Sequence, residues 1–134
     1  MDFTELIDLA SERVGGAVLI ANDDFFAPKE NLLKASTPVF IEGKYTDRGK
    51  WMDGWESRRR RTPGFDWCII RLGLPGIVRG VVVDTSYFRG NYPEHCLLEG
   101  ASFSSLPAEE ELTSDTVQWV PLLPQMPLAG DSQN

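Results

Sequence analysis

The apolar positions of this chain fall into short runs, and only the first run has helical spacing. Between Thr4 and Val14 the apolar residues recur at near-helical intervals. Gly15 and Gly16 then end the pattern, which predicts a short opening helix or turn. The later runs are bounded by polar or turn residues, which is typical of β-strands. The strand predictions cover residues 17–21, 39–41, 67–72, 77–84, 96–99 and 117–120.

Short strands without a long amphipathic helix predict an all-β protein, an antiparallel β-sandwich. The pattern gives about six strands, whereas a jelly-roll sandwich closes with about eight. Either some strands carry no clear signal in the sequence or the sandwich formed by residues 1–120 is incomplete. Pro121, Pro124 and Pro127 argue against a helix and a central strand, so residues 121–134 are predicted to form a Pro-rich, irregular C-terminal tail.

The composition fits a globular domain, and its charge is distributed unevenly. The chain has 134 residues, of which 42% are hydrophobic, and a formal net charge of −7. Residues 90–134 contain seven acidic residues and no Lys or Arg, so this end of the chain accounts for the whole net charge. An acidic surface repels phosphate groups, which argues against nucleic acid or an anionic membrane as a partner.

Neither a leader sequence nor a membrane span is predicted. Residues 1–13 lack the basic and apolar blocks of a signal peptide. The most apolar stretch, residues 67–83, is interrupted by two arginines and a proline and cannot cross a bilayer as a helix. We therefore expect a soluble, intracellular protein. Its two cysteines, Cys68 and Cys96, are predicted to be buried, reduced thiols, because they form no CxxC motif.

The long segment between residues 43 and 66 combines glycine, tryptophan, cations and carboxylates without a clear period. Long irregular segments inside a compact domain are usually functional. Guanidinium groups bind carboxylates, carboxylates accept N–H bonds, and tryptophan faces hold flat polar ligands. The segment therefore predicts a site for a small, anionic, amide-rich ligand. The alternative is that Arg58–Arg61 forms ion pairs with acidic residues across a surface or a subunit contact.

Three other places in the chain carry possible chemistry. Asn22–Asp24 follows a predicted strand, where its carboxylates could bind a metal, share a proton or cap a turn. His95 is the only histidine, so a metal centre with several histidines from one chain is excluded. A Ser-His-Asp or Cys-His pair could form only through His95, and packing or capping is the alternative role. Asp84 and Asn91 lie near predicted strand ends, where a sandwich usually builds its site, although this segment also fits hairpin geometry.

Several long strings in this chain resemble the allantoicase family. They are Asp24-Phe25-Phe26-Ala27-Pro28, Glu30-Asn31-Leu32-Leu33, the segment from Lys50 to Arg61, Asp66-Trp67-Cys68-Ile69-Ile70, Asp84-Thr85-Ser86-Tyr87-Phe88, Gly90-Asn91-Tyr92-Pro93 and Leu122-Leu123-Pro124. These strings are long and chemically unusual, and the resemblance covers nearly the whole chain.

The resemblance implies a galactose-binding-like jelly-roll β-sandwich, with residues 1–120 as an incomplete first repeat of an enzyme built from two repeats. It also implies hydrolysis of allantoate to ureidoglycolate and urea in purine degradation, and a homo-oligomer in the full-length family. Members of the family continue with further strands beyond the segment that resembles residues 127–132. We therefore expect a truncated first repeat. The sequence itself requires no metal and no other cofactor.

The resemblance and the chemistry of the reaction together give a hypothesis for the site. Asp53 and Glu56 are the candidate catalytic residues, which would orient a ureido group or act as a base. The candidate substrate-binding residues are Lys44, Lys50, Trp51, Trp55, Arg58, Arg60 and Asn91. The cations would bind the substrate's carboxylate, and the tryptophans would form the walls. The alternatives are a catalytically inactive fragment and a non-enzymatic sandwich that binds a small ligand or a protein.

Overall fold

The computed structural model describes residues 2–134, which form two compact units, residues 2–80 and residues 81–134. Within the described residues, the first unit contains the strands β1 Ala17–Ala21, β2 Tyr45–Thr46, β3 Gly49–Lys50 and β4 Cys68–Arg71. It also contains the 3₁₀ turns Phe3–Glu5, Glu12–Val14 and Lys29–Leu33. The second unit contains the strand β5 His95–Gly100, the one-turn helix α1 Glu109–Leu112 and the strand β6 Val120–Pro127.

The strands pair as three antiparallel, two-stranded sheets, β1 with β4, β2 with β3, and β5 with β6. The regular structure of the chain is therefore mostly strand with few helices, which confirms the coarse prediction of an all-β protein. No helix within residues 2–134 is long and apolar enough to cross a membrane.

The sheet of β1 and β4 contributes Val18 to the core of the first unit, alongside Ala27 and Met52. Both strands are short apolar runs, and Ala17 pairs with Arg71 at one end while Ala21 pairs with Cys68 at the other. A bulge between Val18 and Ile20 shifts the register, and Val18 is buried. The predicted strands at these two places are confirmed, and the sheet brings the residues that follow β1 next to those that precede β4.

The opening segment, predicted as a short helix or turn, forms turns and no continuous helix. Asp2, Asp8 and Ser11 each accept a hydrogen bond from the backbone N–H two residues later. Such local bonds compete with helical hydrogen bonding, so the segment forms two 3₁₀ turns instead. Gly15, with a φ of 97°, ends the second turn, and the predicted stop at this position is confirmed.

Two backbone segments of the first unit cross at Gly73, which follows β4. The Gly73 N–H donates to the carbonyl oxygen of Leu9 at 2.9 Å. A Cβ at Gly73 would collide with the carbonyl of Val14 and would lie 2.7 Å from the backbone nitrogen of Gly16. The crossing is therefore restricted to glycine by backbone contact, because the atoms that a side chain would meet cannot swing away.

The second unit is organised around residues 83–88, onto which the last residues of the chain fold. The N–H of Val83 donates to the carbonyl of Asn134 at 3.0 Å, and the N–H of Thr85 donates to the carbonyl of Ser132 at 2.8 Å. Thr85 is buried, and its hydroxyl donates to the carbonyl of Ala129 at 2.7 Å. Phe88 is also buried. These bonds give the end of the chain a fixed position within this unit.

The prediction of an irregular tail over residues 121–134 is wrong, because β6 extends from Val120 to Pro127. Glu99 pairs with Pro121 and His95 pairs with Pro127. The pairing has irregular register, and the sheet has only two strands, so each strand needs hydrogen bonds along only one edge. Prolines lack the N–H group that a central strand needs on both edges, but such an edge position tolerates them.

Two other strand predictions are wrong. Residues 39–41 form no strand, and within residues 77–84 only Asp84 makes an isolated bridge, which pairs it with Gln133. Apolar runs of this kind become strands only when a partner supplies the hydrogen-bond ladder. The N–H of Val39 instead donates to a side-chain carboxylate, that of Asp53, at 3.0 Å.

We predict that Gly73→Ala destabilises the first unit by about 1–3 kcal/mol, because the added methyl group overpacks the backbone crossing. Unfolding in urea, followed by the fluorescence of the tryptophans of the first unit, measures the change. Gly90→Ala is the matched control, since a Cβ at Gly90 meets nothing within 4 Å. Equal effects of the two substitutions would contradict the proposed role of the crossing.

We also predict that the thiol of Cys68 is slow to alkylate. Cys68 and Cys96 are free cysteines, and burial raises the pKa of Cys68 to about 11. Because only the thiolate reacts, labelling of Cys68 at pH 8 should be about a hundredfold slower than in the denatured chain. The rate should rise steadily between pH 8 and pH 10. Mass spectrometry of alkylated peptides measures both rates, and equal rates in the native and denatured chain would refute the prediction.

Candidate functional site

The two residues that follow β1, Asn22 and Asp23, hold a distant part of the chain in place. The carboxylate of Asp23 accepts three hydrogen bonds from Arg58. The backbone N–H of Arg58 donates at 2.7 Å, Nε at 3.0 Å and Nη2 at 2.7 Å. This ion pair combines a planar guanidinium with a backbone donor, so it fixes both the side chain and the main chain of Arg58.

Asn22 makes the equivalent connection to the residues that precede β4. Its Nδ2 donates to Oδ1 of Asp66 at 2.8 Å, and its Oδ1 accepts the N–H of Trp67 at 2.8 Å. The other oxygen of Asp66 accepts the hydroxyl of Ser57 at 2.8 Å. Asp66 is therefore held by two side chains that come from different parts of the first unit.

These connections define a loop of nine residues, Arg58–Asp66, which we call the arginine loop. Asp23 holds its first residue and Asn22 holds its last, so both ends are attached to the end of β1. A cavity of about 280 Å³ lies between this loop and the end of β1. The residues that line it are Asn22, Asp23, Arg58, Arg59, Arg60, Arg61, Thr62 and Asp66.

The arginines in the middle of the loop are arranged differently from Arg58. Arg59, Arg60 and Arg61 are exposed, and within residues 2–134 none of them forms an ion pair with a carboxylate. The guanidinium of Arg60 lies against Gly64, where an added Cβ would be 2.6 Å from both Nε and Nη2. Gly64 has a φ of 138°, which residues other than glycine rarely adopt.

The local electrostatics favour an ionised Asp23. Partial burial opposes ionisation of this carboxyl group, but the backbone and side-chain hydrogen bonds from Arg58 outweigh burial and lower the pKa of Asp23 below its ordinary value of 3.8. Asp23 is therefore a carboxylate at neutral pH, and it compensates the charge of Arg58.

Trp55 and Glu56 lie beside the same anchor. The indole Nε1 of Trp55 donates to the backbone carbonyl of Asp23 at 2.7 Å. The backbone of Glu56 forms an antiparallel bridge with Ala27, in which the N–H of Ala27 donates to the Glu56 carbonyl at 3.1 Å. Asp23 thus holds Arg58 through its carboxylate and Trp55 through its carbonyl, and it brings together two of the predicted substrate-binding residues.

Asp53 has structural partners on both of its carboxylate oxygens. Nζ of Lys34 lies 3.1 Å from Oδ1, and the N–H of Val39 donates to Oδ2 at 3.0 Å. The side chain is only 8% exposed. In this arrangement the carboxylate joins the turn Lys29–Leu33 and the segment around Val39 to the segment that carries the predicted site.

The hairpin of β2 and β3 positions two of the predicted cations over aromatic rings. Nζ of Lys44 lies 4.3 Å from the centre of the Trp51 ring, and the N–H of Trp51 donates to the Lys44 carbonyl at 3.0 Å. Nζ of Lys50 lies 4.8 Å from the centre of the Phe40 ring. These are cation–π contacts, which hold the lysine chains while leaving their ammonium groups exposed.

The remaining candidates lie outside this arrangement. Asn91 belongs to the second unit, where it is exposed, so the contacts described above do not include it. His95 is an exposed residue of β5, opposite Pro127. A carboxylate oxygen of Asp24 accepts the N–H of Lys29 at 3.2 Å, which is a capping role. Among the described residues there is no group of three or more His, Cys, Asp or Glu side chains that could hold a metal ion.

The sequence did not indicate the roles of Asp66 and Gly64, and it gave only an ambiguous signal for Asn22 and Asp23. An Asn-Asp pair directly after a strand fits turn capping equally well. The stronger signal was the run Arg58–Arg61 itself, because an arginine that forms an ion pair requires a carboxylate elsewhere in the chain. Only the pairing of β1 with β4 shows which carboxylates are close enough.

The comparisons with known proteins agree on one family. The sequence pattern of the Allantoicase repeat family matches residues 7–134. The chain belongs to the allantoicase repeat family. Among its relatives is the probable allantoicase of Nocardia farcinica, which is 48% identical over 133 residues that make up 98% of this chain. The probable allantoicase 1 of Burkholderia mallei is 45% identical over 128 residues, or 96% of the chain.

Solved structures of allantoicases have the same fold over this region. One superposes with a TM-score of 0.80 and 26% identity over 95% of this chain and 37% of its own length. The allantoicase of Saccharomyces cerevisiae superposes with a TM-score of 0.68 and 25% identity over the same shares. The chain spans 36% of the length of the Burkholderia relative and 40% of that of the Nocardia relative.

The lowered pKa of Asp23 predicts a pH dependence of stability in this allantoicase repeat. A carboxyl group whose pKa is lowered in the folded state stabilises that state above its unfolded pKa, and the effect is lost as the pH falls through the folded value. At pH 6, Asp23→Asn should lower the free energy of unfolding by about 1 kcal/mol.

The difference should shrink as the pH falls below 3.8 and through the lowered pKa of Asp23, because Asp23 then becomes protonated in the original chain as well. Denaturation at pH 6 and at a series of lower pH values measures it. The exposed Asp47 supplies the control Asp47→Asn, which should have no comparable effect at any of these pH values. A difference that is independent of pH would mean that Asp23 acts through its shape and not through its charge.

Proposed function

We propose that this chain forms part of an allantoicase, which hydrolyses allantoate to ureidoglycolate and urea. The observation that supports the proposal is the match of the allantoicase repeat to residues 7–134, together with relatives that are named probable allantoicases at 45% to 48% identity over almost the whole chain. The site described above fits such a substrate, because it combines cations, carboxylates and indole rings in one unit.

The reaction defines what the residues must do. Allantoate carries a carboxylate and two ureido groups on one carbon atom. In the net reaction a carbon–nitrogen bond breaks, the hydroxyl group of water bonds to that carbon, and the remaining proton of water goes to the nitrogen of the departing urea. The site must therefore hold the anion, bind ureido N–H groups and transfer a proton.

The proposed assignment divides these tasks among the residues predicted from the sequence. Glu56 transfers the proton or orients a ureido group, while Trp51 and Trp55 form the walls. The carboxylate of the substrate binds to cations drawn from Lys44, Lys50, Arg58 and Arg60, and Asn91 is a further substrate-binding residue. Asp53 is the second proposed catalytic residue, and its bonds to Lys34 and Val39 show that it also holds the site together.

The architecture proposed for the complete protein is a jelly-roll β-sandwich in which residues 1–120 contribute to the first repeat. The superposition with an allantoicase at a TM-score of 0.80 supports this architecture. The same family suggests a homo-oligomer in an intracellular setting.

A second candidate function is binding without catalysis. The chain spans only 36% to 40% of the length of its relatives, and many large apolar side chains are exposed, for example Ile77 at 73%. Such surfaces commonly contact another protein segment. On this reading the 134-residue chain binds the substrate or another protein but releases no urea.

Urea release from allantoate distinguishes the two functions. It should be measured for the 134-residue chain alone and for a chimaera in which the chain is followed by the remaining part of the Nocardia relative. We expect turnover in the chimaera. Glu56→Gln in that chimaera should lower kcat at least about a hundredfold, as loss of a group that transfers protons does, whereas Glu42→Gln, at an exposed position, should not.

Asp53→Asn tests the remaining assignment in the same chimaera. Loss of kcat with unchanged stability would identify Asp53 as catalytic, and loss of stability with near-normal kcat would leave it a purely structural role. A chimaera that folds but releases no urea would overturn the proposed activity and favour the binding function.

A further inference from the structure

The arginine loop carries more positive charge than its surroundings neutralise. Four arginines and two aspartates line its cavity, which gives a formal charge of +2. Asp23 is already paired with Arg58, and Asp66 already accepts hydrogen bonds from Asn22 and Ser57. Arg59, Arg60 and Arg61 therefore supply guanidinium groups that the described part of the chain does not pair with carboxylates.

We infer that this cavity binds the carboxylate of a small organic monoanion through Arg60 and its neighbours Arg59 and Arg61. Planar guanidinium groups match the two oxygens of a carboxylate. Arg58, which the sequence grouped with them, pairs with Asp23 and so also positions the loop. The inference depends on the proposed function only for the identity of the natural ligand, which would be the carboxylate end of allantoate.

The loop is held in shape before any ligand arrives. Its two ends are attached to adjacent residues, Asn22 and Asp23, and Gly64 provides a surface without a side chain against which Arg60 lies. A guanidinium that is already positioned loses less conformational freedom on binding than one on a free loop. Gly64 is thus a positioning residue for Arg60.

The lining also favours one class of ligand. The cavity of about 280 Å³ has the size of a small molecule. Its four arginines exceed the two aspartates by two formal charges, so the lining favours an anion over a neutral molecule of the same shape. The hydroxyl group of Thr62 is a further polar group in the lining. A small carboxylate therefore fits the charge and the size better than its neutral amide does.

Titration of the isotope-labelled 134-residue chain with sodium glycolate, followed by amide NMR at constant ionic strength, tests the inference directly. We expect saturable shifts at residues 59–64 with glycolate and none with the neutral analogue glycolamide. Arg60→Gln should weaken glycolate binding about tenfold, the effect of one lost charge-assisted contact. The exposed Arg79 gives the control Arg79→Gln, which should bind within about twofold of the original chain, because its charge acts only through screened solvent.

Two further variants separate a role in binding from a role in folding. Arg60→Lys keeps the charge but loses the planar group, so its affinity should lie between those of the original chain and Arg60→Gln. Gly64→Ala should weaken binding while the spectrum of β1 and β4 stays unchanged. Equal shifts with glycolamide, or equal losses in Arg60→Gln and Arg79→Gln, would each overturn the inference.

The outcome is also separate from that of the proposed function. Glycolate binding at the arginine loop without urea release by the chimaera would support this site and reject the reaction. Urea release without any binding of glycolate at residues 59–64 would support the reaction and reject this site.

Discussion

The first unit depends on the attachment of two distant segments to the end of β1. The carboxylate of Asp23 binds Arg58, its backbone carbonyl binds the indole of Trp55, and the amide of Asn22 binds both Asp66 and the backbone of Trp67. Two consecutive residues thereby hold both ends of the arginine loop. Without them, the pairing of β1 with β4 would leave that loop with few fixed contacts.

The charged side chains of this segment consequently do different kinds of work. The carboxylates of Asp23, Asp53 and Asp66 accept hydrogen bonds from donors within the chain, so all three stabilise the structure. Lys44 and Lys50 are held over aromatic rings. The carboxylates of this segment therefore do not simply pair with its neighbouring cations on the surface. They hold the segment in place, and some of its cations stay available to bind an anion.

Prediction from the sequence succeeded where neighbouring residues determine the structure and failed where residues far apart in the sequence determine it. β1 and β4 were predictable, because a short apolar run between turn residues is a local signal. Residues 77–84 carry the same signal, but only Val83 and Asp84 pair with another segment, residues 133–134. β6 was missed because its prolines are acceptable only where one edge is left without a neighbour. The attachment of Arg58 to Asp23 spans 35 positions in the sequence, and no local pattern encodes the choice between Asp23 and other carboxylates.

The prolines of β6 have a consequence for the behaviour of the second unit in concentrated solution. Leu97, Val120 and Leu122 are exposed on a two-stranded sheet, which would ordinarily invite the addition of strands from other molecules. Three of the eight residues of β6 are prolines and offer no N–H to an incoming chain. An intermolecular ladder on β6 would therefore lack a hydrogen bond wherever a proline stands at the free edge, which disfavours growth of this surface into ordered aggregates.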